Sequence, residues 1–260
     1  MRLTSPLLAA AVCALGASPA LAQQAAEDWD LTTNAEQQLT LATLDFGANV
    51  LALRCRAGDL DMLVTGIPVS TSATRKVQVS AGAIAAEDQV WIAQPGQPVL
   101  GAAEPARLAR QLRAGGDLDI RLDPEGPTDR SHRYRLTVPA SAAAVDAVLT
   151  ACAKPLDEAR DLLVRVSEPV TWSAMPIPAF PRSPAAQTAG RGRVGLSCIV
   201  SPEWGLTDCR VESETPPDAD FGASALRSAR DARLNPPTNG TDIRGQLLVF
   251  AMQFEPPGGR

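Results

Sequence analysis

Apolar residues recur with a two-residue period through the first half of the chain. The stretches 39–46, 49–56, 60–64, 76–80, 89–93, 118–122 and 133–138 read as strands on this pattern. Around Cys55, the residues Leu51, Leu53 and Cys55 fall on one face, with Val50, Ala52 and Arg54 on the other. Ala57-Gly58-Asp59 supplies a turn, and Asp123-Pro124-Glu125-Gly126-Pro127 separates the last two strands. The period changes twice. Residues 104–114 predict a helix, with Pro105 in its first turn and Gly115-Gly116 as its stop. Ser141 can cap a second, in which Val145, Val148, Leu149 and Cys152 lie at i, i+3, i+4 and i+7 and form one inward stripe. Residues 23–156 therefore predict a mainly antiparallel β module carrying two helices.

The texture breaks after Leu156. Residues 157–166 suit a short helix or strand, but Pro169, Pro176, Pro178, Pro181 and Pro184 follow, so residues 157–187 read as a partly extended, Pro-rich linker. From residue 188 alternation returns. Val194, Leu196, Cys198 and Val200 mark a strand, Pro202-Glu203-Trp204-Gly205 a turn, and residues 206–214 the returning strand. Pro216-Pro217-Asp218 stops it, residues 221–234 predict a helix, and residues 245–254 a last strand rich in Leu, Val and Phe. A helix that carries the chain back sets the third strand parallel to the second, hence beside the first and at an edge of the sheet. The fold class is α+β, with a small β-β-α-β domain over residues 188–257.

The amino terminus changes the setting. Arg2 precedes an apolar run that closes on Ala20-Leu21-Ala22, the small-x-small pattern of a signal peptide. Residues 1–22 are expected to be removed after Ala22, leaving a protein exported to the periplasm, because the run is short for a membrane span and holds Pro19. Membrane association is expected only if that segment is retained. Loss of Arg2 leaves 23 Lys and Arg against 29 Asp and Glu, a net charge of −6, which disfavours nucleic acid as a partner. Cys13 leaves as well, and Cys55, Cys152, Cys198 and Cys209 remain. Four cysteines allow three pairings. Sequence position favours Cys55 with Cys152, strand to helix, and Cys198 with Cys209, opposite one another if Ser201 faces Leu206 across the hairpin turn. The alternative is four buried, reduced thiols.

Candidate chemistry is sparse. His132 is the only histidine and has no nucleophile beside it in sequence, so it reads as a solvated loop residue. There is no Gly-x-Ser-x-Gly elbow and no Gly-rich phosphate loop. The pairs Asp59, Asp61 and Asp117, Asp119 alternate with apolar residues and read as wet strand faces rather than metal ligands. No catalytic residue, metal or cofactor is expected. Trp172 and Trp204 are open to an interface role, with packing on their own domain as the commoner outcome.

Several landmarks in order carry a resemblance. They are Pro176-x-Pro178-x-Phe180-Pro181, Gly192-Arg193-Val194 with its alternating strand, Gly205, Val211 with Glu214 and Pro216, Phe221-Gly222 with Ala225-Leu226, Pro236, and the closing Phe254. Over residues 170–257 the chain resembles the carboxy-terminal domain of the TonB family, and its cysteine-bearing hairpin is similar to a subgroup of TonB-like periplasmic proteins. The resemblance implies protein–protein contact linked to transport across a Gram-negative envelope. In the family the last strand pairs with an extended peptide, which here points to Gln246, Leu247, Leu248, Val249, Phe250, Ala251, Met252, Gln253 and Phe254 as an edge for strand addition. The energy transducers of that family keep an amino-terminal helix bearing a histidine and a long spacer of Pro-Lys and Pro-Glu repeats. This chain has neither, and its linker carries one basic cluster, Arg191 and Arg193.

The expectation is a non-catalytic periplasmic protein that binds an envelope protein or an extended peptide. An anchored TonB-type transducer is the alternative, and an enzyme or inhibitor activity in the first module, whose ligand the sequence does not name, is a further one. The sequence assigns no oligomeric state.

Overall fold

A computed structural model describes residues 29–257, apart from 83, 95, 128 and 168. The expected export segment and its cleavage point lie outside them. The first module is built on one antiparallel sheet. Its strands are β1 (Asp30–Asn34), β2 (Leu39–Asp45), β3 (Val50–Arg56), β4 (Asp59–Thr65), β5 (Thr74–Ala81), β6 (Ile84–Ala93), β7 (Val99–Ala102), β8 (Gly116–Leu122) and β9 (His132–Val138). They lie in the order β1-β2-β3-β4-β7-β6-β5-β8-β9. Two helices, α1 (Pro105–Leu112) and α2 (Ala142–Ala151), cover one face, α2 over β2 and β3 and α1 over β4, β5 and β7. The covered face carries the alternating residues: Leu51, Leu53 and Cys55, then Leu60, Met62 and Val64, then Leu118, Ile120 and Leu122, all buried. Ser141 caps α2, its Oγ accepting from the Ala144 N–H at 3.3 Å. Cys152, at the end of that helix, is bonded to Cys55.

Strands β1 and β7 are additions to the sequence reading. β1 has Leu31 as its one apolar residue and is mostly exposed, so alternation could not mark it. β7 is four residues long, contains Gly101 and is buried between β4 and β6, where its neighbours' edges define it.

The segment expected to be a spacer is docked on the protein. It forms a 3-10 turn (Ala159–Leu162), strand β10 (Trp172–Ala174) and helix α3 (Pro184–Ala189). The helix has a local cause: the Ser183 Oγ accepts from the Ala186 N–H, Pro184 takes the first turn, and Gly190 closes it in the left-handed region at φ 68°.

The carboxy-terminal unit follows as β11 (Gly192–Val200), β12 (Leu206–Thr215), α4 (Phe221–Ala229), β13 (Arg233–Leu234) and β14 (Leu247–Phe254). Its three-stranded sheet has the order β12-β11-β14, with β14 antiparallel to β11. The helix stops at Ala229, short of the predicted 234, because the Leu234 N–H is taken by the Trp204 carbonyl at 2.8 Å and β13 pairs with β10. The hairpin register also differs from expectation. Val200, not Ser201, faces Leu206, and a bulge sets Asp208 and Cys209 together opposite Cys198, with Asp208 at φ 43°. The extra residue brings Cys198 and Cys209 together, and they are bonded.

Candidate functional site

The last strand is an edge strand with two kinds of residue. Leu248, Met252 and Phe254 point into the core with α4, and Phe250, half-buried, packs against it. The Val200 N–H donates to the Gln246 carbonyl at 3.1 Å, which fixes the alternation along the ladder: Leu248, Phe250 and Met252 exchange bonds with β11, whereas Leu247, Val249, Ala251 and Gln253 turn their backbone groups away from it. Gln246 precedes the strand, and its side-chain amide donates to the Asp242 carbonyl at 3.0 Å.

At Leu247 the outward groups are already taken by an extended piece of the same chain. The Leu247 N–H donates to the Val164 carbonyl at 2.8 Å and the Val166 N–H to the Leu247 carbonyl at 3.0 Å, a parallel pairing. Beyond it, no strand among the described residues pairs with the outward side of β14.

Beside this edge lies a groove of about 390 Å³. Leu247 to Phe250 form one side, Val170 and Trp172 an apolar wall, and Lys76, Asp88 and Val90 of the first module the opposite side. The Trp172 ring meets Phe250 edge-on at 5.6 Å between centroids. Below, Phe254 lies 4.8 Å from Phe221, and Gly192 leaves space for that ring, since a Cβ there would fall 2.4 Å from it.

The groove exists because the two modules are packed together. β11 is buried on both faces: Val194, Leu196 and Cys198 against α4, Gly195 and Ser197 against the first module and the docked segment. A Cβ on Gly195 would sit 2.6 Å from the Ala103 carbonyl oxygen. Arg160 of the docked segment is buried, and its guanidinium donates to the carbonyls of Ser197 (3.0 Å) and Asp208 (2.7 Å), to the Ser197 Oγ and to the Asp208 carboxylate. Arg165 closes one end of the groove, held by Glu104, whose carboxylate serves this pair instead of capping α1. Burial raises the Glu104 carboxyl above its usual range despite the Arg165 charge. Burial acts the same way on Glu87, but hydrogen bonding and charge from Arg107, with the charge of Arg165, outweigh it and hold that carboxyl low. These arginines were not recognisable from sequence, where an Arg in a Pro-rich stretch reads as solvated.

The Asp59, Asp61 pair corrects the sequence reading. It lies at the junction of the modules, not on a wet face. Asp61 pairs with Arg54, and the Asp59 Oδ1 accepts from the Glu214 N–H at 3.3 Å. Burial first, then the Asp61 charge, push Asp59 up to about 7. Asp117 and Asp119 do face solvent, Asp119 gathering Arg133 and Arg135. His132 lies 3.5 Å from the Asp129 carboxylate and stacks on Tyr134. No group of three or more His, Cys, Asp or Glu among the described residues could hold a metal ion.

No protein-family model matches the chain, and no curated protein or solved structure matches it either. No helix among the described residues is long and apolar enough to cross a membrane, and the two disulfides fit an exported protein.

Proposed function

We propose that this chain is a periplasmic, non-catalytic binding protein whose TonB-like carboxy-terminal domain takes an extended segment of another envelope protein as an added strand on the outer side of β14, in the service of transport across the envelope. One observation carries the reading: an extended segment, Val164 to Val166, is already hydrogen-bonded to that side at Leu247, and the outward groups continue at Val249, Ala251 and Gln253. The chain order strand, strand, helix, strand, with the last strand beside the first, supports the likeness to the TonB domain. Main-chain pairing of this kind supplies affinity, and the pockets beside the edge supply selectivity.

The test begins with a random nonapeptide library displayed on phage and selected against the chain from Gln23 onward. Val249→Pro removes an outward donor and leaves the bonds to β11 in place, so the variant should fold. Selected peptides are expected to lose binding to it at least tenfold. Unchanged binding to a folded Val249→Pro protein, or a library that yields no binder, would refute the reading.

A further inference from the structure

At the start of β11, between the two modules, lies a cavity of about 310 Å³ whose charges are not balanced. Gly192 turns towards the core, where a Cβ would meet the Phe221 ring at 2.4 Å, so Arg191 and Arg193 on either side of it turn the opposite way. Both line the cavity. Neither guanidinium has a hydrogen bond or an ion pair among the described residues. Arg193 is half-buried, and burial first, then the Arg191 charge, lower its pKa. Gln253 of β14 stands opposite Arg193 in a pair that exchanges no backbone bonds, the arrangement that brings side chains closest. From the first module comes the loop Ser70-Thr71-Ser72. Glu125 fixes it, its carboxylate accepting from the Ser70 Oγ at 2.6 Å and the Thr71 N–H at 3.1 Å, and Arg75 lies 3.8 Å from the same carboxylate. With that acid matched, the loop contributes Thr71 and Ser72, whose hydroxyls have no partner among the described residues. Glu255 is the one acid among the described residues that line the cavity; it is exposed and pairs with neither arginine.

We propose that this cavity binds the phosphate group of a small soluble molecule, with Arg191 and Arg193 as the two cationic ligands. Two neighbouring guanidiniums without a counter-ion repel each other, and burial of one adds a desolvation cost; an anion between them relieves both. A guanidinium presents paired N–H donors at the spacing of oxyanion oxygens. A tetrahedral phosphate suits the lining better than a planar carboxylate, because donors come from two sides. The arginines and the Gln253 amide belong to the carboxy-terminal unit, the Thr71 and Ser72 hydroxyls to the first module. At about 30 Å³ per water the cavity has room for roughly ten waters, enough for a phosphate and a short substituent. The assignment does not depend on strand addition at β14.

The test is an NMR titration of the chain from Gln23 onward, at fixed pH and ionic strength, with inorganic phosphate, glycerol phosphate and acetate as probes. Inorganic phosphate is expected to shift the Thr71, Gly192 and Arg193 amides saturably with a Kd of about 1 mM, and glycerol phosphate to bind at least as tightly. Arg191→Gln and Arg193→Gln should each raise both Kd values about tenfold, whereas Arg121→Gln, at an exposed position of β8, should leave them unchanged. Neither arginine has a partner to lose, so both variants should fold. Should Arg193→Gln fail to do so, the wild-type shifts and Arg191→Gln decide. No saturable shift up to about 20 mM phosphate overturns the proposal. So do acetate shifts as large as those of phosphate, or Kd values that neither arginine variant changes. Phosphatidylglycerol vesicles separate the sources: a response to vesicles with none to either soluble phosphate would make the pair a lipid contact and overturn the cavity site.

Discussion

Asp59 of β4 and Glu214 of β12 meet across the junction of the two modules, the Asp59 carboxylate accepting the Glu214 backbone N–H at 3.3 Å. Glu214 in turn performs a task that the residue before α4 does not. Asp220, at φ 64°, makes no side-chain cap, and the Phe221 N–H donates to the Glu214 carboxylate at 2.9 Å. Gly222 permits this, because a Cβ there would fall 2.6 Å from the same carboxylate. One strand residue thus ties the first module to β12 through its backbone and caps α4 through its side chain.

The first prediction concerns pH. Asp59 is raised from 3.8 to about 7, by burial and then by the neighbouring Asp61. A carboxyl raised in the folded state contributes stability that is complete below its unfolded pKa and is lost as pH rises through the folded value. The contribution should fade between pH 4 and about 7. Asp59→Asn is expected to match wild type near pH 4 and to exceed it at pH 8 by about 2 kcal/mol, a discounted figure for a partly solvated group. Melting temperatures of both proteins across this range would show it; parallel curves would contradict it.

The contact between modules is a second target. Gly195→Ala places a methyl 2.6 Å from the Ala103 carbonyl oxygen and 2.7 Å from the Ser213 Oγ. The expected cost is about 2 kcal/mol or more, with the modules partly undocked. Limited proteolysis should then cut faster between residues 157 and 187 than in the wild-type protein, where Arg160 and Arg165 hold that segment in place.

Arg160 should be hard to replace. Its guanidinium is buried and serves Ser197 and Asp208 through several bonds. Arg160→Ala leaves the Ser197 and Asp208 carbonyls unmatched and is expected to cost about 2–3 kcal/mol. Arg160→Lys should recover little of it, since an ammonium cannot reproduce the planar fork. Urea denaturation of both variants provides the comparison.

Thiol labelling tests the disulfides. The denatured, non-reduced protein from Gln23 onward should take up no label, and reduction should expose four thiols. Replacing Cys55 and Cys152 together by Ser is expected to cost about 2–4 kcal/mol. Label at Cys198 before reduction would contradict the hairpin bond.

Much of the scaffold was legible because burial on one sheet face imposes a two-residue period, as at Leu51, Leu53 and Cys55. The edge position of β14 followed from chain order alone. Other features depend on contacts distant in sequence. Asp59 alternates like a solvated residue, yet the face it occupies is covered by β12, which begins almost 150 residues later. Helix α3 was different: Ser183, Pro184 and Gly190 carried start and stop signals that the surrounding prolines obscured.

Strand addition at β14 is tested most directly by backbone amide exchange, read by NMR with and without a saturating selected peptide. Val249 and Ala251, whose amides face outward, should exchange at least tenfold more slowly when the peptide is bound. Leu248 and Phe250, already bonded to β11, should change little and serve as internal references. Slowing at Val249 and Ala251 without slowing at Leu248 and Phe250 is the predicted result; unchanged rates at Val249 and Ala251 with peptide bound would contradict it.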